Sequence, residues 1–362
     1  MSKLVPLVLC CLQNSPKEAL VEKHTSYQTL KAEHLSKGGP VIAIILEYDA
    51  LPGIGHACGH NLIAEAGLAA GLAIKEVMEA DPKLEGKLLV LGTPAEERRG
   101  GKIDLLDAGV FQGVDAAMMV HPSMYNATFP SSLSRLLMDV HFKGKEAHAS
   151  AFPWEGRNAL DAAVAAYQNI ALLRQHMKPS NRVHVIITKG GVAPNVIPAE
   201  AALQIYVRSA SRAELKDLTA RIKECVKSGA AAAGCSVYIE CDEKLCYENL
   251  VNNKVMGNIY DIYAPRLGLH PTDFSRREVP SASTDMGNVS HVIPSIQTVY
   301  DINTEIANHT KEFTEVSGNV RAQGPTLSAA KALAMTALTL MKFPDILEEA
   351  KKQFMKDIDE GL

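Results

Sequence analysis

Hydrophobic positions along the chain predict a buried sheet interrupted by a second, differently patterned segment. Residues 41–46 form an unbroken aliphatic run, the pattern of a strand buried on both faces of a parallel sheet, which delivers Glu47, Tyr48 and Asp49 to the sheet's edge. Residues 62–78 are rich in alanine with apolar side chains at helical spacing, and the pattern stops before Asp81-Pro82, so a helix is expected there. Further strands are predicted at 87–92 and 116–120, with a short helix at 103–108 between them. Strand, loop and helix in this order place loops at the carboxyl edge of an open α/β sheet, where ligands bind.

From about Ser132 the texture changes. Residues 136–142 alternate apolar and polar as a half-exposed strand does, and are followed by helix at 158–173, strands at 183–188 and 201–207, helix at 213–230 and strand at 236–241. The order βαββαβ describes a self-contained ferredoxin-like sandwich, read as a second domain at 131–242 inserted into a first domain made of 1–130 and 243–362. After Leu245 the α/β texture returns, with helix predicted at 250–263, a loop or helix start at 283–287, a strand at 295–299 and a long helix at 327–341. Residues 1–40 are the least readable part, and 4–12 fit a buried strand or a short helix better than a signal-peptide core, because Pro6 interrupts the run and no small-residue cleavage site follows.

Composition narrows the class. A chain of 362 residues exceeds one ordinary core, and 47% hydrophobic with 22% charged residues is the balance of a soluble globular protein. With 37 basic against 41 acidic residues there is no electrostatic footprint for nucleic acid or an anionic membrane, so a small-molecule partner is expected. No apolar run approaches the roughly 20 residues of a membrane-spanning helix. The 7 cysteines are odd in number and lack paired CxxC spacing, which reads as reduced, cytoplasmic usage.

Candidate chemistry centres on the turn Gly55-His56-Ala57-Cys58-Gly59-His60-Asn61. Imidazole and thiolate are side chains zinc prefers, and glycines on either side keep the turn narrow enough to aim Cys58 and His60 at one place. By themselves these residues fit packing and capping equally well. Glu96-Glu97 and His121 change the balance, because they too emerge at ends of predicted strands on what should be the same edge. Adjacent carboxylates can divide two tasks, one binding metal while the other takes a proton from an attacking water. With His309, the set Cys58, His60, Glu97 and His121 exceeds what one four-coordinate ion needs, and two ions sharing a ligand would use them all. Such a centre brings hydrolysis of an unactivated amide within reach near neutral pH.

The stretches Glu47-Tyr48-Asp49-Ala50-Leu51-Pro52-Gly53 through Gly55 to Asn61, then Thr93-Pro94-Ala95-Glu96-Glu97, then Met119-Val120-His121-Pro122, resemble the aminoacylase and carboxypeptidase G family of metallopeptidases. Within that family the likeness is to aminoacylase-like dipeptidases that cleave Xaa-Arg, Xaa-Lys and Xaa-ornithine. The resemblance implies a zinc-peptidase-like α/β/α catalytic domain carrying a lid and dimerisation domain, and hence a homodimer. It implies two zinc ions per subunit, with manganese or cobalt as alternatives, held by Cys58, His60, Glu97, His121 and His309, with Cys58 bridging. It further makes Glu96 the general base and Asp49 the carboxylate that orients a ligand. His148 is implied to reach a partner's site to steady the oxyanion, while Asn195 and Arg208 are implied to hold the substrate's carbonyl or carboxylate. His56 is left with a structural role.

Two departures stand out. Relatives usually begin with an additional helix and strand before residue 41, so the amino end looks shortened or replaced. Arg98-Arg99 stand where relatives tend to have glycine, which would alter the rim of the cleft or favour an acidic substrate group. Three functions therefore follow from the sequence: a dipeptidase, an N-acyl amino acid or aminobenzoyl-glutamate amidohydrolase of the same chemistry, and a catalytically silent homologue that binds or oligomerises.

Overall fold

A computed structural model describes residues 19–20, 30–35, 38–275 and 281–361. The expected element at 4–12 lies outside them. The chain divides into two compact units, one made of Met1–Ser131 with Leu250–Leu362 and the other of Ser132–Asn249.

The first unit opens with strands β1 (Ala19–Leu20), β2 (Leu30–Leu35) and β3 (Val41–Glu47), followed by helix α1 (His60–Ala80), β4 (Lys87–Thr93), the short helix α2 (Gly101–Asp107) and β5 (Ala116–Ser123). In the second unit come β6 (Ser134–Lys143), α3 (Ala159–Leu173), β7 (Arg182–Lys189), β8 (Glu200–Ser209), α4 (Arg212–Ala232) and β9 (Ser236–Glu240). The first unit resumes with α5 (Lys254–Tyr263), α6 (Met286–Ser290), β10 (Ser295–Asp301), α7 (Lys311–Ser317), α8 (Gln323–Lys342) and α9 (Pro344–Asp359).

Strands of the first unit join a 6-stranded sheet in the order β1-β2-β4-β3-β5-β10. The four strands β4, β3, β5 and β10 run parallel, whereas β1 and β2 add antiparallel at one edge. Burial of the aliphatic runs on both faces is visible residue by residue. Ile42, Ile44, Leu88, Val90, Met118 and Val120 pack into one core with α1, α5 and α8, and the intervening Ala43, Ile45, Leu89, Leu91, Ala117 and Met119 pack into another with α2 and α6. The unit is thus an α/β/α sandwich, and its parallel strands all end at one edge.

Differences from the sequence-based expectation have local causes. The strand expected to end at Val120 continues to Ser123, because β10 pairs with it in register from Ser295↔Ala117 to Asp301↔Ser123. The helix expected from 250 begins only at Lys254. Val251 and Asn253 donate their backbone N–H to Ser290 Oγ and Ser295 O, and the Asn253 side chain caps the helix by accepting from Met256 N. Helix α9, absent from the sequence reading, starts at Pro344, a residue suited to the first helical turn, and buries Leu347 and Ala350.

The second unit is a 4-stranded antiparallel sheet in the order β9-β6-β8-β7, with α3 and α4 over one face. The βαββαβ order matches the sequence pattern. Its carboxyl end reaches past 242 because Tyr247 and Arg135 exchange backbone hydrogen bonds of 2.9 Å, and Asn249 N donates to Ser134 Oγ.

Candidate metal centre

The turn at 55–61 is closed from two sides. Gly59 takes a left-handed φ of 86° at the start of α1, and a Cβ there would stand 2.6 Å from Pro122 Cγ and 3.2 Å from Phe313 Cε1. Only glycine lets the turn approach β5 and α7 this closely. The loop after β10 is tied to the same turn. His309 N donates to Ala57 O at 2.8 Å, and the Asn308 amide donates to Cys58 O and Pro122 O, each at 3.1 Å. His309 itself has a positive φ of 68°, as does Ala95 just before Glu96 at 60°, so backbone strain gathers where the candidate ligands are. His56 serves the turn through its carbonyl, which accepts from Gly59 N and Ser317 Oγ.

These ties bring the five proposed ligands together in two overlapping donor groups. Within each of Cys58–His60–His121 and Cys58–Glu97–His309, one donor atom per residue lies within 4.8 Å of the others, and Cys58 belongs to both. Cys58 Sγ is 3.5 Å from His121 Nε2, and Glu97 Oε1 is 3.7 Å from His309 Nε2 and 3.9 Å from His60 Nε2.

Ring orientations favour ligation. Pro122 O can only accept, so His121 Nδ1 donates to it at 2.9 Å and the Nε2 lone pair is left facing Cys58. His60 Nδ1 likewise donates to Asp49 Oδ1 at 3.0 Å, and the other Asp49 oxygen accepts from Glu97 N at 3.1 Å. His60 Nε2 and Glu97 Oε1 are buried without a hydrogen-bond partner among the described residues. Unpartnered nitrogen and oxygen atoms beside a thiol are the donor chemistry of a zinc-type site, so the residues fit a metal ion.

Burial and the neighbouring charges set the protonation of these groups. Burial, reinforced by Glu97 and Glu96 against the opposing pull of His60, pushes the Cys58 thiol up to about 12. Burial also opposes charge on His60, but the Asp49 hydrogen bond, the neighbouring Cys58 and the Glu47 charge outweigh it and hold the imidazole well above its usual range. His121 is depressed to about 4 by burial, only partly offset by Glu47. Glu96 is raised well above the usual carboxylate range by burial, then by Glu47 and Asp285.

With the geometry in place, likeness to known proteins decides the lineage. Residues 134–233 match the peptidase dimerisation domain of the M20 peptidases. Over 346 residues the chain is 45% identical to the Xaa-Arg dipeptidase of Mus musculus, covering 93% of this chain and 79% of that protein. The chain belongs to the M20 peptidase family. The Xaa-Arg dipeptidase of Homo sapiens is equally similar, 45% identical over 88% of this chain and 74% of its own. Among solved structures, a Bacillus subtilis protein described as a dinuclear metal-binding peptidase of the M20 family aligns with a TM-score of 0.68 at 21% identity, covering 94% of this chain and 91% of its own, and so shares the fold. As an M20 peptidase the chain is a hydrolase, and its second unit is the family's dimerisation domain. No helix among the described residues is long and apolar enough to cross a membrane.

The remaining sequence-predicted residues lie in that second unit. His148 is exposed, and its Nδ1 accepts from Ala151 N at 3.2 Å, which leaves Nε2–H as an outward donor in the neutral ring. Asn195 sits on the neighbouring loop, where its carbonyl accepts from Ala149 N at 3.1 Å. Arg208, on β8, places its guanidinium 5.8 Å from the Tyr206 ring centroid.

Three residues that the sequence reading gave no role stand behind the centre. Lys102 is fully buried, donating from Nζ to Glu47 Oε1 and to Asp285 Oδ1 at 2.6 Å each, while its backbone N–H donates to Asp285 Oδ2 at 2.9 Å. The chain can bend there because Gly101 lacks a side chain: a Cβ would lie 1.9 Å from Pro94 O. Burial disfavours the Lys102 cation, yet Asp285, Glu47 and Glu96 raise it above its ordinary range, and Lys102 in turn holds Glu47 ionised against burial. A lysine opening a short helix reads in sequence as solvated, and its partners lie 55 and 183 residues away.

Proposed function

We propose that the chain is a two-metal dipeptidase acting on dipeptides with a basic carboxyl-terminal residue, of the Xaa-Arg, Xaa-Lys or Xaa-ornithine type. The observation that carries this reading is the membership of Cys58 in both donor groups, which lets one thiolate serve two ions. Cys58, His60 and His121 would hold one ion, and Cys58, Glu97 and His309 the other, with zinc as the metal best matched to this donor set and manganese or cobalt as alternatives. When bound, the pair of ions supplies Lewis acidity toward the scissile carbonyl and toward water.

The protein's own groups do the rest. Glu96, buried next to the ligand carboxylate Glu97, takes a proton from the attacking water at its carboxylate and returns it to the leaving amine. Asp49 keeps His60 and Glu97 oriented toward the ions. His148 donates from Nε2 to the developing oxyanion and acts in the site of a second copy, while Asn195 and Arg208 hold the substrate's carbonyl and carboxylate. Likeness to the Xaa-Arg dipeptidases over most of the chain supports the basic-residue preference.

Arg98 and Arg99, both exposed directly after Glu97, favour a second reading in which an acidic leaving amino acid is taken instead, as in an N-acyl amino acid or aminobenzoyl-glutamate amidohydrolase. Mass spectrometry of a mixed dipeptide and N-acyl amino acid panel, with metal-loaded and chelator-treated protein, tests both. Chelator-sensitive release of arginine, lysine or ornithine supports the first reading, glutamate or aspartate release supports the second, and the absence of any chelator-sensitive product contradicts both.

A further inference from the structure

We infer that Glu47 is itself a metal ligand, binding through Oε2 the ion that His60 holds, with Lys102 and Asp285 as the buried clamp that aims it. Glu47 is the last residue of β3 and is 1% exposed, and His60 is 0% exposed. With Nδ1 committed to Asp49, His60 has one atom left for a ligand, Nε2, and this atom has no hydrogen-bond partner among the described residues. The nearer carboxylate oxygen to it is Glu47 Oε2 at 3.4 Å, against 3.9 Å for Glu97 Oε1.

That spacing is the one coordination requires. Two donors on one tetrahedral ion, at the bond lengths zinc makes to nitrogen, oxygen and sulfur, stand about 3.3–3.6 Å apart. Cys58 Sγ to His121 Nε2 at 3.5 Å falls in this range, and so does His60 Nε2 to Glu47 Oε2. Glu47, His60 and Glu96 also form a donor group of their own, each atom within 4.8 Å of the others.

The second oxygen of Glu47 is placed as a one-oxygen metal ligand needs it. Lys102 Nζ holds Oε1 at 2.6 Å, and Asp285 fixes Lys102 through both its ammonium and its backbone N–H.

The inference rests on the two-metal reading, and the test separates the two. Glu47→Gln keeps an oxygen for Lys102 and leaves Asp285 in place. In competition of Co2+ against a chromophoric chelator, the wild-type protein should bind two ions. The variant should lose affinity at one site by more than about 100-fold, the upper limit for a residue that only supports a ligand. The visible bands of that site should change while those of the other persist. Glu47→Asp, which retains a carboxylate, should recover part of the lost affinity and guards against misfolding of the amide variant. Fewer than two ions on the wild-type protein would overturn the two-metal reading and this assignment with it. Two ions on wild type, with a loss of 100-fold or less and unchanged bands in Glu47→Gln, would overturn the Glu47 assignment alone.

Discussion

His60 donates from Nδ1 to Asp49 at 3.0 Å, and the same carboxylate accepts the Glu97 backbone N–H through its other oxygen. One side chain therefore orients a residue from each of the two donor groups. Replacing Asp49 by alanine frees the His60 ring and the Glu97 loop together. Metal affinity should fall about 10–100-fold, as for other groups that orient a ligand, with the fold retained. Titration with Zn2+ against a chelator reads this directly; unchanged affinity would remove Asp49 from the centre.

Glu96 and Glu97 are neighbours to which the proposed mechanism gives different duties. Glu96→Gln should keep full metal content, because Cys58, His60, Glu97, His121 and His309 are untouched, while turnover falls by at least about 100-fold. Near-native turnover in that variant would refute the role of general base.

Much of this site was legible in the sequence because its residues sit at strand ends. The buried runs at 41–46 and 116–120 and the helix after Cys58 fix one sheet edge, and the structure brings Cys58, His60, Glu97, His121 and His309 together there. Illegible were the groups whose meaning depends on distant partners. Lys102 looks like a surface lysine until the fold places Glu47 and Asp285 against its ammonium. Helix α5 begins late because Val251 and Asn253 are tethered to Ser290 and Ser295, a constraint periodicity does not register.

Metal binding should release protons. With the Cys58 thiol pushed up to about 12 and His60 held well above its ordinary range, both carry a proton at neutral pH in the metal-free protein. Thiolate and neutral imidazole are the binding forms, so affinity should rise about tenfold per pH unit for each proton displaced. Calorimetric titrations in two buffers of different ionisation enthalpy should give at least one proton released per chain; a buffer-independent heat would contradict it.

His121 makes the metal-free fold acid-sensitive. Its folded value, about 4, lies below the ordinary value of 6.5, so between these limits the unfolded chain binds the additional proton. Its contribution is therefore present above the ordinary value and is lost as pH falls. Linkage gives about 2 kcal/mol lost between pH 7 and pH 5. His60, shifted the other way, contributes below its ordinary value and loses that contribution only as pH rises through its raised one. Chelator-treated wild type should thus lose about 2 kcal/mol more than His121→Asn over this interval in urea unfolding. Equal losses would show that His121 is not held neutral by the fold.

The shared thiolate is the claim on which the two-metal account depends, and metal content after exhaustive dialysis tests it most directly. Two zinc ions per chain in the wild-type protein, with loss from Cys58→Ser that spreads to both sites, is the predicted result. A Cys58→Ser protein that keeps its full complement of metal would contradict it.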